Sequence, residues 1–176
     1  FILFIRRGPK QTLKKVFCPL FLNIFSSKTK TQKEKFKSFC ESLENNHTLK
    51  SLHFIVTVPL AQYFSIESMK HLSQLLEKND TLEILNLRRY RLTDEPIEQL
   101  CYGLEKSQSL KELDLSRNRG IGFKAIQALS SALEKNNTLQ KLDLSSNGLE
   151  NESIELLGLM LGKNQGLKEL DLSENE

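Results

Sequence analysis

No pattern that performs chemistry by itself occurs in this sequence. Gly-x-Ser-x-Gly, His-Glu-x-x-His and Cys-x-x-Cys are all absent, which removes the usual arrangements for a nucleophile elbow, a zinc-binding helix and a thiol pair. Gly162-Lys163-Asn164 has the lysine of a phosphate-binding loop, but neither the upstream glycine nor the following Ser/Thr. The three histidines, His47, His53 and His71, have no partner at a spacing suited to a metal or a nucleophile. No enzyme, cofactor or metal site is expected.

Cysteine is scarce and odd in number. Cys18, Cys40 and Cys101 lie far apart in apolar surroundings, which excludes a disulfide framework and points to reduced thiols in a cytoplasmic protein. Long apolar runs are also missing. Val16 to Phe25 is interrupted by Pro19 and Asn23, and a membrane-spanning helix needs about 20 apolar residues. The net charge of +3 hides an asymmetry: residues 1–38 hold 10 Lys/Arg and 1 acid, the rest 15 Lys/Arg and 21 acids. The basic character is local. The chain begins at Phe1 and stops just after a repeated phrase, which reads as a fragment.

That phrase is what the sequence does contain. LKELDLSRN, Leu110 to Asn118, returns as LQKLDLSSN at Leu139 to Asn147 and as LKELDLSEN at Leu167 to Asn175, with fainter copies at Leu82 to Tyr90 and Leu49 to Thr57. Counting the first Leu of each copy as position 0, position −6 is Leu43, Leu76, Leu104, Leu133 and Leu161. Position −10 is Phe39, Leu72, Leu100, Leu129 and Leu157, and position −13 is Phe36, Met69, Ile97, Ile126 and Ile154. Spacings of three and four place these residues on one helical face. Each unit therefore pairs a short strand with an amphipathic helix. Asn46, Asn79, Asn136 and Asn164 at −3 read as left-handed C-terminal caps, and Thr93 or Asp94 as the N-cap of a helix with Pro96 in its first turn. The glycines at 120 and 122 accommodate one extra residue.

Such units must stack. One buries about seven apolar side chains at roughly 1.5 to 3 kcal/mol each, against about 1.5 kcal/mol for each of some 28 ordered residues. Strands lie about 4.8 Å apart and packed helices roughly 8 to 10 Å, so a stack of strand-helix units curves with a parallel sheet inside and helices outside. Asn118, Asn147 and Asn175, at +8, can satisfy backbone groups that the turn leaves unpaired.

LxxLxLxxN followed by a helix, at a period of 28 to 29 residues from Phe36 onward, resembles the leucine-rich repeat family and its ribonuclease-inhibitor-like subclass. The resemblance implies an α/β horseshoe solenoid over residues 36–176 and a binding surface rather than a reaction. It also implies that positions +1, +2, +4, +6 and +7 face the concave surface. Residues 1–35 form a basic and apolar flank, either a degenerate repeat or cap in which LKKVFC supplies a strand, or a flexible segment. Within that flank SSKTKTQKEK reads as a solvated loop. The insertion IVTVPLAQY, residues 55–63, packs over its own repeat or adds contacts at the rim.

Two constellations stand out. Position +4 is His53, Asn86, Asp114, Asp143 and Asp171, an acidic column that could receive basic side chains, with Lys111, Lys141 and Lys168 close enough to offset it. RRYR, Arg88 to Arg91, departs from the pattern, and Arg with Tyr is a pairing favoured at interface hot spots. Tyr90 stands where the other clear repeats have Asn. In LKELDLSRN, Lys111, Glu112, Asp114, Ser116 and Arg117 are the side chains a partner could see. The expected contacts are Arg88, Arg89, Tyr90, Asp114, Lys141, Asp143 and Asp171. A protein partner is expected, and nucleic acid is disfavoured because one basic cluster lacks an extended stripe. A GTPase-activating protein and the sensor segment of a NOD-like receptor are the other readings that the resemblance allows.

Overall fold

The computed structural model describes residues 2–7, 14–17, 30–54 and 64–175, with side chains from residue 33 onward. The units follow the expected order. Strands β3 (Leu49–His53), β4 (Ile84–Asn86), β5 (Glu112–Asp114), β6 (Lys141–Asp143) and β7 (Glu169–Asp171) alternate with helices. The helices are α1 (Lys30–Glu44), α2 (Ile66–Lys78), α3 (Asp94–Lys106), α4 (Phe123–Lys135) and α5 (Asn151–Leu161). The five strands pair in parallel and in register, Leu52, Leu85, Leu113, Leu142 and Leu170 lying side by side. This is a curved solenoid with the parallel sheet on its concave face and the helices on its convex face.

The core is built from the periodic positions. Leucines at 0, +3 and +5 are buried in the units of β4, β5 and β6, and meet the helical residues Met69, Leu72, Leu76, Ile97, Leu100, Leu104, Ile126, Leu129 and Leu133. At the last unit Leu167, Leu170 and Leu172 are only partly covered, because β7 has a neighbour on one side only.

The N-terminal part differs from expectation in two ways. The lysine-rich stretch read as a loop supplies the first turns of α1, which begins at Lys30. LKKVFC does contribute a strand, β2 (Lys14–Phe17), but not a repeat strand. It pairs antiparallel with β1 (Ile2–Arg7), and β1 in turn pairs antiparallel with β3. The sheet order is therefore β2-β1-β3-β4-β5-β6-β7. The insertion at 55–63 lies outside the described residues.

Two sets of asparagines join the units. On the turn after each strand, the Asn118 amide donates to the carbonyls of Leu87 and Leu115, and its Oδ1 accepts from Leu92 N. Asn147 donates to Leu115 and Leu144 and accepts from Asn118 N. Asn175 donates to Leu144 and Leu172 and accepts from Asn147 N and Leu149 N. Each side chain thus satisfies backbone groups of its own unit and of the one before.

The asparagines before the strands do the same on the other side and are not left-handed caps. Asn79 and Asn136 are extended, at φ −82 and −90. Their amides reach back to carbonyls of the preceding unit, Asn79 to Leu43 and Asn46, Asn136 to Leu104 and Ser107. Their Oδ1 atoms accept from the backbone entering the next strand, at Leu82 N and Leu139 N. Left-handed backbone sits instead at +7, in Arg89, Arg117, Ser146 and Glu174, with φ between 57 and 65.

Capping of the helices also crosses units. Thr93 occupies the N-cap of α3 without a side-chain bond, while Asp94 Oδ1 accepts from Gly122 N and Ala125 N at the start of α4. The detour at Gly120 needs close approach rather than a left-handed turn: a Cβ there would lie 2.7 Å from Leu92 O. Outside the sheet, Lys78, Lys106, Lys135 and Lys163 each pair with a glutamate of the preceding unit, Glu44, Glu77, Glu105 and Glu134, at 2.7 to 2.9 Å.

Candidate protein-binding face

Because +3 leucines point into the core, the flanking +2 and +4 side chains point the other way, onto the concave sheet. Parallel pairing sets Asn86, Asp114, Asp143 and Asp171 in one row across β4 to β7. Asp114 Oδ1 accepts from Ser116 N and Oγ, Asp143 Oδ1 from Ser145 N and Oγ, and Asp171 Oδ1 from Ser173 N. Asn86 Oδ1 accepts likewise from Arg88 N. The row therefore closes the turns that follow the strands, as Asx side chains do. The second oxygen of Asp114 accepts from the Asn86 amide at 2.6 Å. Among the described residues the second oxygens of Asp143 and Asp171 have no hydrogen bond, so both still present a carboxylate edge. Bonds from Ser173 hold the Asp171 carboxyl below its ordinary range.

The lysines neighbouring this row engage glutamates rather than the aspartates. Lys50 and Lys111 lie 2.8 and 3.4 Å from Glu83, and Lys141 lies 2.6 Å from Glu169, its strand neighbour. That last contact raises the Lys141 amine above its ordinary value. Lys168 donates to Gln140. These pairs are solvated and stabilise little. What they do is fix an ordered pattern of charge on the sheet. At the β3 end, burial lowers His53 despite the opposing charges of Asp114 and Glu112, so the row is neutral there and anionic towards β7.

The turn after β4 shows both the sequence reading and its correction. Arg88 is half-buried and Arg89 exposed, the latter donating its backbone N–H to Ser116 O. Tyr90 is 0% exposed and is not a surface contact. Its ring packs against Phe64 at 4.7 Å and Phe54 at 6.4 Å between centroids, and Phe36 completes the cluster. The departure from Asn at this position has a packing cause: Phe54 and Phe64 flank the insertion, and Tyr90 fills the space between that unit and its own. Ser116, also counted among the visible side chains, is 0% exposed, and its hydroxyl donates to Asp114 Oδ1.

A family profile described as Leucine Rich repeat matches residues 106–130 and 135–158. These segments are leucine-rich repeats. Among solved structures, the leucine-rich-repeat fold of this chain is similar to a fragment titled Leiomodin-1 Actin-Binding Site 2, with a TM-score of 0.66, 20% identity, and 78% of each chain covered. It is also similar to the tropomodulin C-terminal domain of Caenorhabditis elegans, with a TM-score of 0.64, 17% identity, and 78% of this chain and 82% of that one covered. At these identities the likeness carries the fold. No curated protein sequence matches significantly.

Of the sequence-chosen residues, the leucine-rich-repeat scaffold gathers Asp114, Lys141, Asp143 and Asp171 on one face and puts Arg88 and Arg89 on the adjoining turn. Sequence reasoning missed Arg119. It also missed that Arg89 and Arg91 recur one unit later as Arg117 and Arg119, a signal readable as an offset of 28 in both columns. On the helical side, a groove of about 400 Å³ between α3 and α4 is lined by Cys101, Tyr102, Glu105 and Lys124 among others. Burial, with the charge of Glu98, pushes the Cys101 thiol up to about 12, and burial raises Cys40 further. Neither thiol is a nucleophile near neutral pH. Among the described residues no helix is long and apolar enough to cross a membrane.

Proposed function

We propose that this chain is a non-catalytic protein-interaction module, of the ribonuclease-inhibitor-like subclass, acting in the cytoplasm. It grips a protein partner on its concave sheet and the adjoining rim. The carrying observation is the concave face itself: five parallel strands in register hold an ordered array of charges on turns tied by buried hydrogen bonds. A surface already in its bound shape loses little ordering entropy on association. The contacts are Arg88, Arg89, Asp114, Lys141, Asp143 and Asp171; Tyr90, being buried, is not among them. The N-terminal hairpin is the cap of the solenoid, since β1 covers the backbone edge of β3.

The reading is tested with a photo-crosslinking residue placed at Asp143 and, separately, at the helix-side Gln127 in cells. Discrete covalent adducts at position 143, absent at 127 and weakened by Arg88→Ala with Arg89→Ala, are expected. Equal adducts at both positions would overturn it. Actin enters as a first candidate because one similar structure is named for an actin-binding site, and co-sedimentation with filaments decides that point. Stimulation of GTP hydrolysis by a small GTPase would favour the enzyme-regulator reading instead.

A further inference from the structure

We infer that the turns after β4 and β5 form a recognition patch for an acidic protein segment, with Arg88, Arg89, Arg91, Arg117 and Arg119 receiving its carboxylates. This rests on the protein-binding reading above and names the chemistry of the partner.

The repeat brings the five together. Arg89 N donates to Ser116 O, the residue before Arg117, so the two +7 positions are neighbours on adjacent turns, and Arg91 and Arg119 take the two +9 positions beside them. Four of the five are exposed and Arg88 is half-buried. They are also every arginine whose side chain is described.

Their pairing state sets them apart from the other cations. All ten ion pairs among the described residues use Lys or His. None uses Arg. The nearest turn carboxylate in sequence, Asp94, has its Oδ1 occupied by Gly122 N and Ala125 N. Among the described residues, lysine and histidine make the internal bridges, and the side chain best shaped for two parallel bonds to a carboxylate makes none.

Backbone geometry argues that structure does not choose these arginines. Arg89, Arg91 and Arg117 have φ of 65, 50 and 58, where a side chain is strained and glycine is not. The +9 slot of Arg91 is filled two units later by Gly148, at φ 75. At Arg91 glycine would fold more easily, and at +7 the same left-handed backbone also carries Ser146 and Glu174, so neither slot requires arginine.

The patch is short and bounded. Along +7 the residues run Arg89, Arg117, Ser146, Glu174, and the sheet beyond carries Asp143, Glu169 and Asp171. A nucleic-acid strand following the rim would leave the cations after two turns, about 5 Å apart, and meet acids, whereas phosphate binding needs an extended basic track. A peptide with a few clustered Asp or Glu fits within it.

Fluorescence anisotropy of the full chain tests this with three labelled probes: a twelve-residue glutamate-rich peptide, a lysine-rich peptide and oligothymidine of equal length. The glutamate peptide is expected to bind at low salt and to weaken at least about tenfold in the double variant Arg89→Glu, Arg117→Glu. Arg91→Gly separates contact from fold: it should raise the melting temperature while weakening the peptide severalfold. Failure of the glutamate peptide to bind, or binding unchanged in these variants, overturns the proposal. If the lysine peptide alone binds, and Asp143→Lys abolishes that, protein binding stands and the acidic assignment falls. Oligothymidine binding more tightly than the peptide through the same arginines would reassign the patch to nucleic acid.

Discussion

The turn after β5 and the turn after β4 fill the same place in successive units by different physics. After β5, Asn118 satisfies backbone groups of two units with one buried amide. After β4, Tyr90 fills the space with a ring that joins Phe36, Phe54 and Phe64. A directional solution serves where the units differ in length by a single residue, 28 or 29. A non-directional one serves beside the unit that carries five extra residues, because aromatic packing tolerates a changed backbone and an amide ladder does not.

The largest test of that contrast is Tyr90→Ala, which should cost about 4 kcal/mol as measured by chemical denaturation, in the range of buried aromatic truncations. Tyr90→Asn is sharper. It installs the ladder residue, and if the aromatic cluster holds this turn it should still destabilise by about 2 kcal/mol. A Tyr90→Asn variant as stable as the parent would show that the two solutions are interchangeable. Asn118→Ala should cost about 3 kcal/mol, since it strands buried donors and acceptors of two units. Asn175→Ala should cost only about 1 kcal/mol, because that side chain is half-buried and water can replace it.

The smallest effect concerns the neutral end of the +4 row. His53 is lowered from its ordinary 6.5, so the unfolded chain binds its proton first as the pH falls. Its contribution to stability is complete above 6.5 and is lost on acidification through the folded value. Replacing His53 with Gln should flatten the stability profile on the acid side of 6.5. A profile unchanged by the substitution would place the dependence elsewhere.

The repeats were legible because their core obeys one period: leucines at 0, +3 and +5 and the helical residues at −13, −10 and −6 could be read off without coordinates. The use of Asn118, Asn147 and Asn175 followed from the same register. Tyr90 was not legible. Its identity suggested a surface anchor, and only the three-dimensional meeting of Phe54 and Phe64, ten residues apart in sequence, shows that it belongs inside. The aspartate row was half legible, since its spacing is plain in sequence but its bonds to Ser116, Ser145 and Ser173 are a property of the turn. Of the antiparallel hairpin, the strand in LKKVFC was legible from its apolar spacing, but its antiparallel pairing with β1 was not, because that pairing repeats nothing.

The lysine bridges on the helical side have a consequence for how such a chain changes over generations. Lys78, Lys106, Lys135 and Lys163 each address the glutamate of whichever unit stands before them. The joints are therefore interchangeable couplings, and duplicating or excising one whole unit between α3 and α5 would meet a matching socket on both sides. The aromatic joint carries the same lysine couplings, Lys78 to Glu44 and Lys106 to Glu77, and adds rings fitted to one another. A whole unit is easily gained or lost in the regular half of the molecule, and less easily beside Tyr90, whose ring is fitted to Phe54 and Phe64 of one particular neighbour.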